Sequence, residues 1–326
     1  MVEGNADFIA VTFTVALSVP ADHAVGVGYA TANGSATAPG DYLGAAGTLA
    51  FAPGQTSRAV TVLVRGDLID EANEAFFLSL SAPAGGAVLA DAQGACTIVD
   101  DDTAAIRVND VAVIEGNSST KIATFAVTLS TPADHAISVN AAAAQGTARS
   151  PSDFLSTIVT VTFSPGQTVK AFNVAVNGDL IDESNETFYA NLFAPTGGAI
   201  FADAQGACTV IDDDTAAIRV NDVIVTEGNS GLVAVTFTVT LSVPADHAVG
   251  VGYATANGAA VAPGDYVGAS GTLAFAPGQA SRAVTVLVRG DLIDEANERL
   301  FLNLFAPTGG AALADAQGAC TIIDDD

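Results

Sequence analysis

A fixed internal period of 112 residues constrains this chain more than any other feature. Glu3-Gly4-Asn5 returns as Glu115-Gly116-Asn117 and Glu227-Gly228-Asn229. Asp100-Asp101-Asp102 returns as Asp212-Asp213-Asp214 and Asp324-Asp325-Asp326, with no gap between copies. Copies one and three are identical over 17–34 and 241–258 and over 58–74 and 282–298, while copy two diverges. A unit of this length is one ordinary domain, so the sequence predicts three domains, at 1–102, 103–214 and 215–326. Copies two and three open on Ile106-Arg107-Val108-Asn109-Asp110-Val111 and Ile218-Arg219-Val220-Asn221-Asp222-Val223, a segment that copy one lacks. Repeat 1 is therefore expected to miss most of its first strand, and the chain reads as part of a longer array.

Within each copy the hydrophobic period is two. Apolar residues alternate with polar ones in Val11-Thr12-Phe13-Thr14-Val15 and Val60-Thr61-Val62-Leu63-Val64, the pattern of a half-buried strand. Breakers such as Ala52-Pro53-Gly54-Gln55 and Ala82-Pro83-Ala84-Gly85-Gly86 separate these runs, and no stretch carries a helical period. Copy two reads as seven strands near 106–114, 122–130, 136–143, 157–163, 169–176, 187–193 and 207–211. Seven short strands in about 100 residues have the rhythm of an immunoglobulin-like antiparallel β-sandwich. The fold class is all-β: three tandem sandwiches stacked head to tail as a rod, joined by short linkers at Thr103-Ala104-Ala105 and Thr215-Ala216-Ala217.

Composition adds a puzzle. The formal net charge is −26, from 36 Asp and Glu against 10 Lys and Arg, yet the chain is 50% apolar with a mean hydropathy of +0.43. An acidic disordered tail would be poor in apolar residues, so this chain folds and concentrates its acids in a few places. Nucleic acid is excluded as a partner, because phosphate binding draws on clustered Lys and Arg. No apolar run of about 18 residues exists to span a bilayer as a helix. One cysteine per copy, at Cys96, Cys208 and Cys320, precludes a disulfide within a domain and reads as a buried core thiol.

Strand parity shows where the acids go. In an antiparallel sandwich the connections after strands one, three and five and the end of strand seven share one pole. Glu3, Asp41, Asp67, Asp70, Glu71, Glu74, Asp100, Asp101 and Asp102 all fall on those segments. So do Glu115, Asp153, Asp179, Asp182, Glu183, Glu186, Asp212, Asp213 and Asp214, and Glu227, Asp265, Asp291, Asp294, Glu295, Glu298, Asp324, Asp325 and Asp326. Asp22, Asp91 and His23 fall at the opposite pole. Two carboxylates about 5 Å apart repel by roughly 3 kcal/mol at an effective dielectric of 20, so nine in one cup require a counter-ion. Calcium accepts 6 to 8 oxygens in irregular geometry, whereas zinc prefers His and Cys and magnesium a tight octahedron. All 27 residues are expected metal ligands, serving about two to four calcium ions per domain by coordination number. Arg149, four residues before Asp153, predicts a weaker site in repeat 2.

The motifs also resemble a known family. Glu3-Gly4-Asn5, Gly40-Asp41-Tyr42, the run from Gly47 to Gly54, Asp67 to Phe76 and Thr97 to Asp102 look like the Calx-beta domain, in this order and in all three copies. The resemblance implies an immunoglobulin-like sandwich that binds calcium at one end, as in sodium/calcium exchangers and in bacterial surface and adhesion proteins. It implies ligands at the Glu of Glu-Gly, the Asp of Asp-Tyr, the acids of the loop between strands five and six, and the terminal triplet. Catalysis is not expected: there is no Trp, no Ser-His-Asp spacing and no phosphate loop. The sequence thus predicts a non-enzymatic calcium-binding repeat region, acting as a calcium-stiffened extracellular or cell-surface spacer or adhesion module with neighbouring repeats and a cell-surface or matrix partner. The alternative is a calcium-sensing regulatory module of a membrane-associated protein.

Overall fold

A computed structural model describes all of residues 1–326 and contains strands and turns with no helix. Repeat 2 shows the complete unit. Its strands, numbered after the six of repeat 1, are β7 (Ala105–Val108), β8 (Val111–Ile114), β9 (Thr120–Leu129), β10 (Ile137–Gln145), β11 (Ile158–Phe163), β12 (Val169–Asn177), β13 (Glu186–Phe193), β14 (Ile200–Asp203) and β15 (Gln205–Ile211). They form one sheet in the order β11-β10-β13-β15-β8 and a second in the order β12-β9-β7-β14. Repeat 3 repeats this plan with β16 (Ala217–Val220), β17 (Val223–Thr226), β18 (Gly231–Leu241), β19 (Val249–Asn257), β20 (Tyr266–Val267), β21 (Ser270–Phe275), β22 (Ser281–Gly290), β23 (Glu298–Thr308), β24 (Ala312–Leu313) and β25 (Gln317–Ile323).

The opening strand expected at 106–114 is two strands in two sheets. β7 pairs antiparallel with β9, Ile106 opposite Leu129 and Val108 opposite Val127. β8 pairs parallel with β15, Val111 opposite Cys208. The chain crosses between sheets at Asn109-Asp110, and the two side chains replace the missing ladder bonds. Asn109 Oδ1 accepts from Ala126 N at 2.6 Å, and Asp110 Oδ1 accepts from Ala207 N at 2.8 Å. Asn221 and Asp222 do the same in repeat 3, at 2.6 and 2.8 Å.

Inward-facing residues of both sheets form the core. In repeat 2 a cluster of 24 buried residues centres on Phe125, Phe154, Phe172 and Phe188; the Phe154 and Phe188 rings stack at 4.5 Å. Repeat 3 buries a comparable cluster of 22. Cys96, Cys208 and Cys320 are free and buried in these cores, and burial pushes the Cys208 and Cys320 thiols up to about 11, which suits packing.

Repeat 1 differs. Its strands are β1 (Phe8–Ala16), β2 (Val25–Asn33), β3 (Ala46–Phe51), β4 (Ser57–Arg65), β5 (Glu74–Ala84) and β6 (Gln93–Ile98), in sheets β1-β4 and β3-β2-β5-β6. Nothing stands where β7 and β16 stand, and of the β8 counterpart only the bridge Val2 to Val99 remains. Its core splits into clusters of 9 and 3 residues.

Candidate metal centre

Three loops and the chain segment after the last strand meet at one pole of each sandwich. Gly66, Gly178 and Gly290 permit the contact, because a Cβ there would collide with the carbonyls of Gly4, Gly116 and Gly228 respectively. Those latter glycines hold φ of +77°, +74° and +75°, the left-handed region that favours glycine. Their N–H groups donate to Asp101 Oδ1, Asp213 Oδ1 and Asp325 Oδ1, each at 2.9 Å, tying the Glu-Gly-Asn loop to the terminal triplet. Asn5 Nδ2 donates to Asp102 Oδ1 at 2.8 Å. Asn73 Oδ1 accepts from Asp100 N at 3.1 Å, fastening the triplet to the 67–74 loop. Asp41 is positioned by its neighbour: Tyr42 is 1% exposed, stacks on Phe76 at 4.2 Å and donates its hydroxyl to Asn33 Oδ1 at 2.6 Å.

These restraints gather the acids. Asp41, Glu71 and Glu74 bring one carboxylate oxygen each within 4.8 Å of one another, as do Asp153, Glu183 and Glu186, and Asp265, Glu295 and Glu298. Glu3 lies deeper, against Glu71, Asp100, Asp67 and Asp101, whose charges all act on it. It is 3% exposed and Glu115 is 2% exposed, and the Oε1 atom of each has no hydrogen-bond partner. Glu74 Oε2, Glu186 Oε2, Asp102 Oδ2, Asp214 Oδ2 and Asp324 Oδ1 are likewise buried without partners. Orphaned buried oxygens are rare in folded proteins because each costs about 1 to 3 kcal/mol.

The electrostatics follow. Burial first, then the surrounding carboxylates, push Glu3 and Glu115 up to about 8. The same causes bring Glu71, Glu74, Glu183, Glu186 and Glu227 to about 7 and raise Glu295 and Glu298. No Lys or Arg pairs with any carboxylate in the chain; the three ion pairs are His–Asp. Arg149, expected to compete in repeat 2, turns its Nη1 to Gln145 Oε1 at 3.3 Å. Its backbone N–H holds Asp153 Oδ2 at 2.5 Å, as Thr37 N and Val261 N hold Asp41 and Asp265, so the competing-cation argument loses its geometric basis. An all-oxygen donor set, crowded, partly desolvated and lacking a cationic side chain, fits a hard divalent cation of flexible coordination.

Two of the acids also serve the joints between domains. Asp70 and Asp182, each 6% exposed, accept the linker N–H of Ala104 and Ala216 on Oδ2 at 2.7 and 2.8 Å. Their backbones pair with the next repeat: Asp70 N donates to Pro132 O at 3.0 Å and Asp134 N to Asp70 O at 3.2 Å, repeated at Asp182, Pro244 and Asp246. Thr131 Oγ1 donates to Leu68 O across the same joint. Asp294, with no repeat against it, is exposed. The joint also brings Asp134 and Asp246 close enough to raise Glu71 and Glu74, and Glu183 and Glu186. Strand parity alone left those two residues at the far pole of their own domains. Only stacking makes them neighbours of the preceding acidic pole, and the 112-residue recurrence of Pro-Ala-Asp-His was the one trace of it in the sequence.

A clear asymmetry between substitutions is expected at the joint. Asp182→Ala strands the buried Ala216 N–H, whereas Asp182→Asn keeps an acceptor there. Small-angle scattering should show a broader distribution of overall dimensions for Asp182→Ala than for Asp182→Asn, with Asp294→Ala unchanged. Equal behaviour of all three variants would remove the clamp from the account.

Fold and pole together define a tandem of β-sandwiches, each with a cluster of carboxylates at one end that could hold a cation. The chain belongs to the Calx-beta domain family, which matches residues 4–110, 100–222 and 211–326. Calx-beta domains bind calcium and act as regulatory modules rather than catalysts. Among relatives, sodium/calcium exchanger 3 of Mus musculus is 28% identical over 191 residues, 52% of this chain. The match spans 21% of the exchanger's length. A crystal structure of CBD12 from CALX1.2 is 20% identical, covering 67% of this chain and all of that one, with a TM-score of 0.32. The apo-form Calx CBD1 domain is 25% identical over 35% of this chain and all of its own, also at 0.32. The exchanger match overturns the extracellular or cell-surface location expected from the sequence, since the calcium-binding domains of such exchangers are cytoplasmic regulatory domains. That expectation followed the family's occurrence in bacterial surface and adhesion proteins, and a donor set of carboxylates carries no information about compartment.

Proposed function

We propose that the chain is a calcium-sensing regulatory module: three Calx-beta domains in tandem whose acidic poles take up calcium beside the joints to their neighbours. The observation that carries this reading is the pair of buried, unpartnered oxygens at Glu3 and Glu115, each within a ring of carboxylates that no cationic side chain balances. Calcium supplies two positive charges and 6 to 8 coordination positions for oxygen. On this reading Asp41, Glu71 and Glu74 form one group of ligands, and Glu3, Asp67 and Asp100 to Asp102 a second. Two or more ions per repeat follow, with the corresponding residues serving repeats 2 and 3. Asp70 and Asp182 link occupancy to domain orientation, since each belongs to the acidic loop and to the joint.

Calorimetric titration paired with small-angle scattering tests the proposal. A binding midpoint below about 10⁻⁵ M with a calcium-dependent change in scattering supports sensing. A midpoint of 10⁻⁴ to 10⁻³ M with no such change would make calcium a static stiffener, and no binding heat at all would end the calcium reading.

A further inference from the structure

At each joint an acid of the following repeat stands beside the acidic pole of the preceding one. The joint between repeats 2 and 3 shows how. Asp182 N donates to Pro244 O at 3.0 Å and Asp246 N to Asp182 O at 3.1 Å, so Asp182 pairs with Ala245 as in a parallel ladder. Next along the two segments come Glu183 and Asp246, which such pairing sets side by side at about 5 Å, the spacing of neighbouring strands. Burial alternates accordingly: Asp182 and Ala245 are buried, while Glu183 is half-buried and Asp246 exposed. Glu183 belongs in turn to the group Asp153, Glu183 and Glu186, whose carboxylate oxygens lie within 4.8 Å of one another. Burial raises Glu183 and Glu186, and Asp246 is among the neighbouring charges that add to it. The pairing of Asp70 with Ala133 repeats the arrangement between repeats 1 and 2, where the charge of Asp134 acts on Glu71 and Glu74.

Asp246 is held as a metal ligand is held. His247 Nδ1 lies 2.8 Å from Asp246 Oδ1, and His247 Nε2 lies 2.8 Å from Gly309 O, which fixes the ring and with it the carboxylate. Outer hydrogen bonds of this kind orient ligating carboxylates. The contact engages Oδ1 and leaves Oδ2 for another partner. No lysine or arginine pairs with Asp134 or Asp246; the ionic partner of each is the adjacent histidine. The pole is more than a surplus of surface acids, because Glu115, 2% exposed, keeps Oε1 unpartnered among Glu183, Asp179, Asp212 and Asp153. The one oxygen that Asp153, Glu183 and Glu186 each bring together falls short of the 6 to 8 that calcium takes, so further donors are needed.

We propose that Asp246 is a calcium ligand supplied across the joint, so that the ion held by Asp153, Glu183 and Glu186 is bound by two domains at once, with Asp134 doing the same for Asp41, Glu71 and Glu74. The inference rests on the calcium reading of the pole. A ligand from each domain makes ion binding and joint closure one equilibrium. Calcium favours the docked arrangement by the same factor by which docking raises calcium affinity.

The repeat 2 pole can be read separately, because its loop 179–186 carries Ser184 where the otherwise identical loops 67–74 and 291–298 carry Ala72 and Ala296. Hydrogen exchange of peptides covering 179–186, followed by mass spectrometry over a series of free calcium concentrations, gives the midpoint of that pole in the full chain. Asp246→Asn keeps an acceptor for His247 and removes the charge. It is expected to move the midpoint at least about tenfold to higher calcium, both in dilute salt and in about 1 M sodium chloride. At about 1 M the Debye length is roughly 3 Å, which screens a charge acting only through space and spares a direct ligand. Asp203→Asn, the same change at an exposed acid of the opposite pole, should leave the midpoint within about twofold. Small-angle scattering in chelator should not distinguish Asp246→Asn from the parent, since the backbone pairs of the joint remain. A midpoint within about twofold of the parent, a shift that vanishes in high salt, or a joint already loosened in chelator would each overturn the inference and leave the calcium reading standing. Absence of calcium-dependent protection in the parent would end both.

Discussion

Chelating calcium at pH 7.5 is expected to lower the unfolding temperature of repeat 2 by about 10 °C or more relative to 1 mM calcium. The argument begins with Glu115, 2% exposed and facing the charges of Glu183, Asp179, Asp212 and Asp153. Without a cation its Oε1 has no partner, and nothing in the chain compensates the loss of water. A ligand at about 100 times its dissociation constant adds about 2.7 kcal/mol per site, and in a domain of about 100 residues each 1 kcal/mol moves the midpoint by roughly 4 °C or more. Differential scanning calorimetry with calcium and with chelator measures the shift, and a difference below about 2 °C would contradict it.

The pH dependence supplies an independent sign. Folded Glu115 keeps its proton up to about pH 8, while an unfolded glutamate releases it near 4.5. Between those values the folded state binds more protons, so the stability of the calcium-free chain falls as pH rises. Glu3 behaves alike, with Glu71, Glu74, Glu183, Glu186 and Glu227 following up to about 7. Saturating calcium, which requires these groups ionised, should flatten that slope and release protons on binding.

Much of this was legible in the sequence because two local rules sufficed. Alternation of apolar residues in segments such as Val11 to Val15 located the strands, and counting chain reversals put nine acids of each copy at one end. What local pattern could not show is where the chain changes sheets. Asn109-Asp110 interrupts an otherwise plausible strand, and only the hydrogen bonds to Ala126 N and Ala207 N reveal a crossover. Nor could parity separate Asp182 from Asp179 one turn of loop earlier. Asp179 Oδ1 accepts from Ile181 N inside its own loop at 2.7 Å, whereas Asp182 reaches the linker at Ala216. That difference depends on packing between domains, and no property of a single repeat encodes it. The same holds for Asp134 and Asp246, which sit in one domain and act on the acids of another.

Glu115→Gln should move two measurements in opposite directions. In chelator the variant is expected to melt about 4 °C or more higher than the parent at pH 8, because it removes a buried charge that the apo fold opposes; about 1 kcal/mol suffices for that shift. In calcium the order reverses, because an amide offers one neutral oxygen where the carboxylate offered charge. Affinity at the repeat 2 pole should fall at least about tenfold, equivalent to about 1.4 kcal/mol. Glu227→Gln should reproduce the effect at repeat 3 alone, since Glu227 faces Glu295, Asp324, Asp291 and Asp325 and nothing from the other repeats. A purely structural role for Glu115 predicts a different outcome, with stability falling in both conditions and no crossing of the two curves. The crossing therefore separates a cation ligand from a buried residue that happens to be acidic, and it does so within one substitution and one calorimetric series.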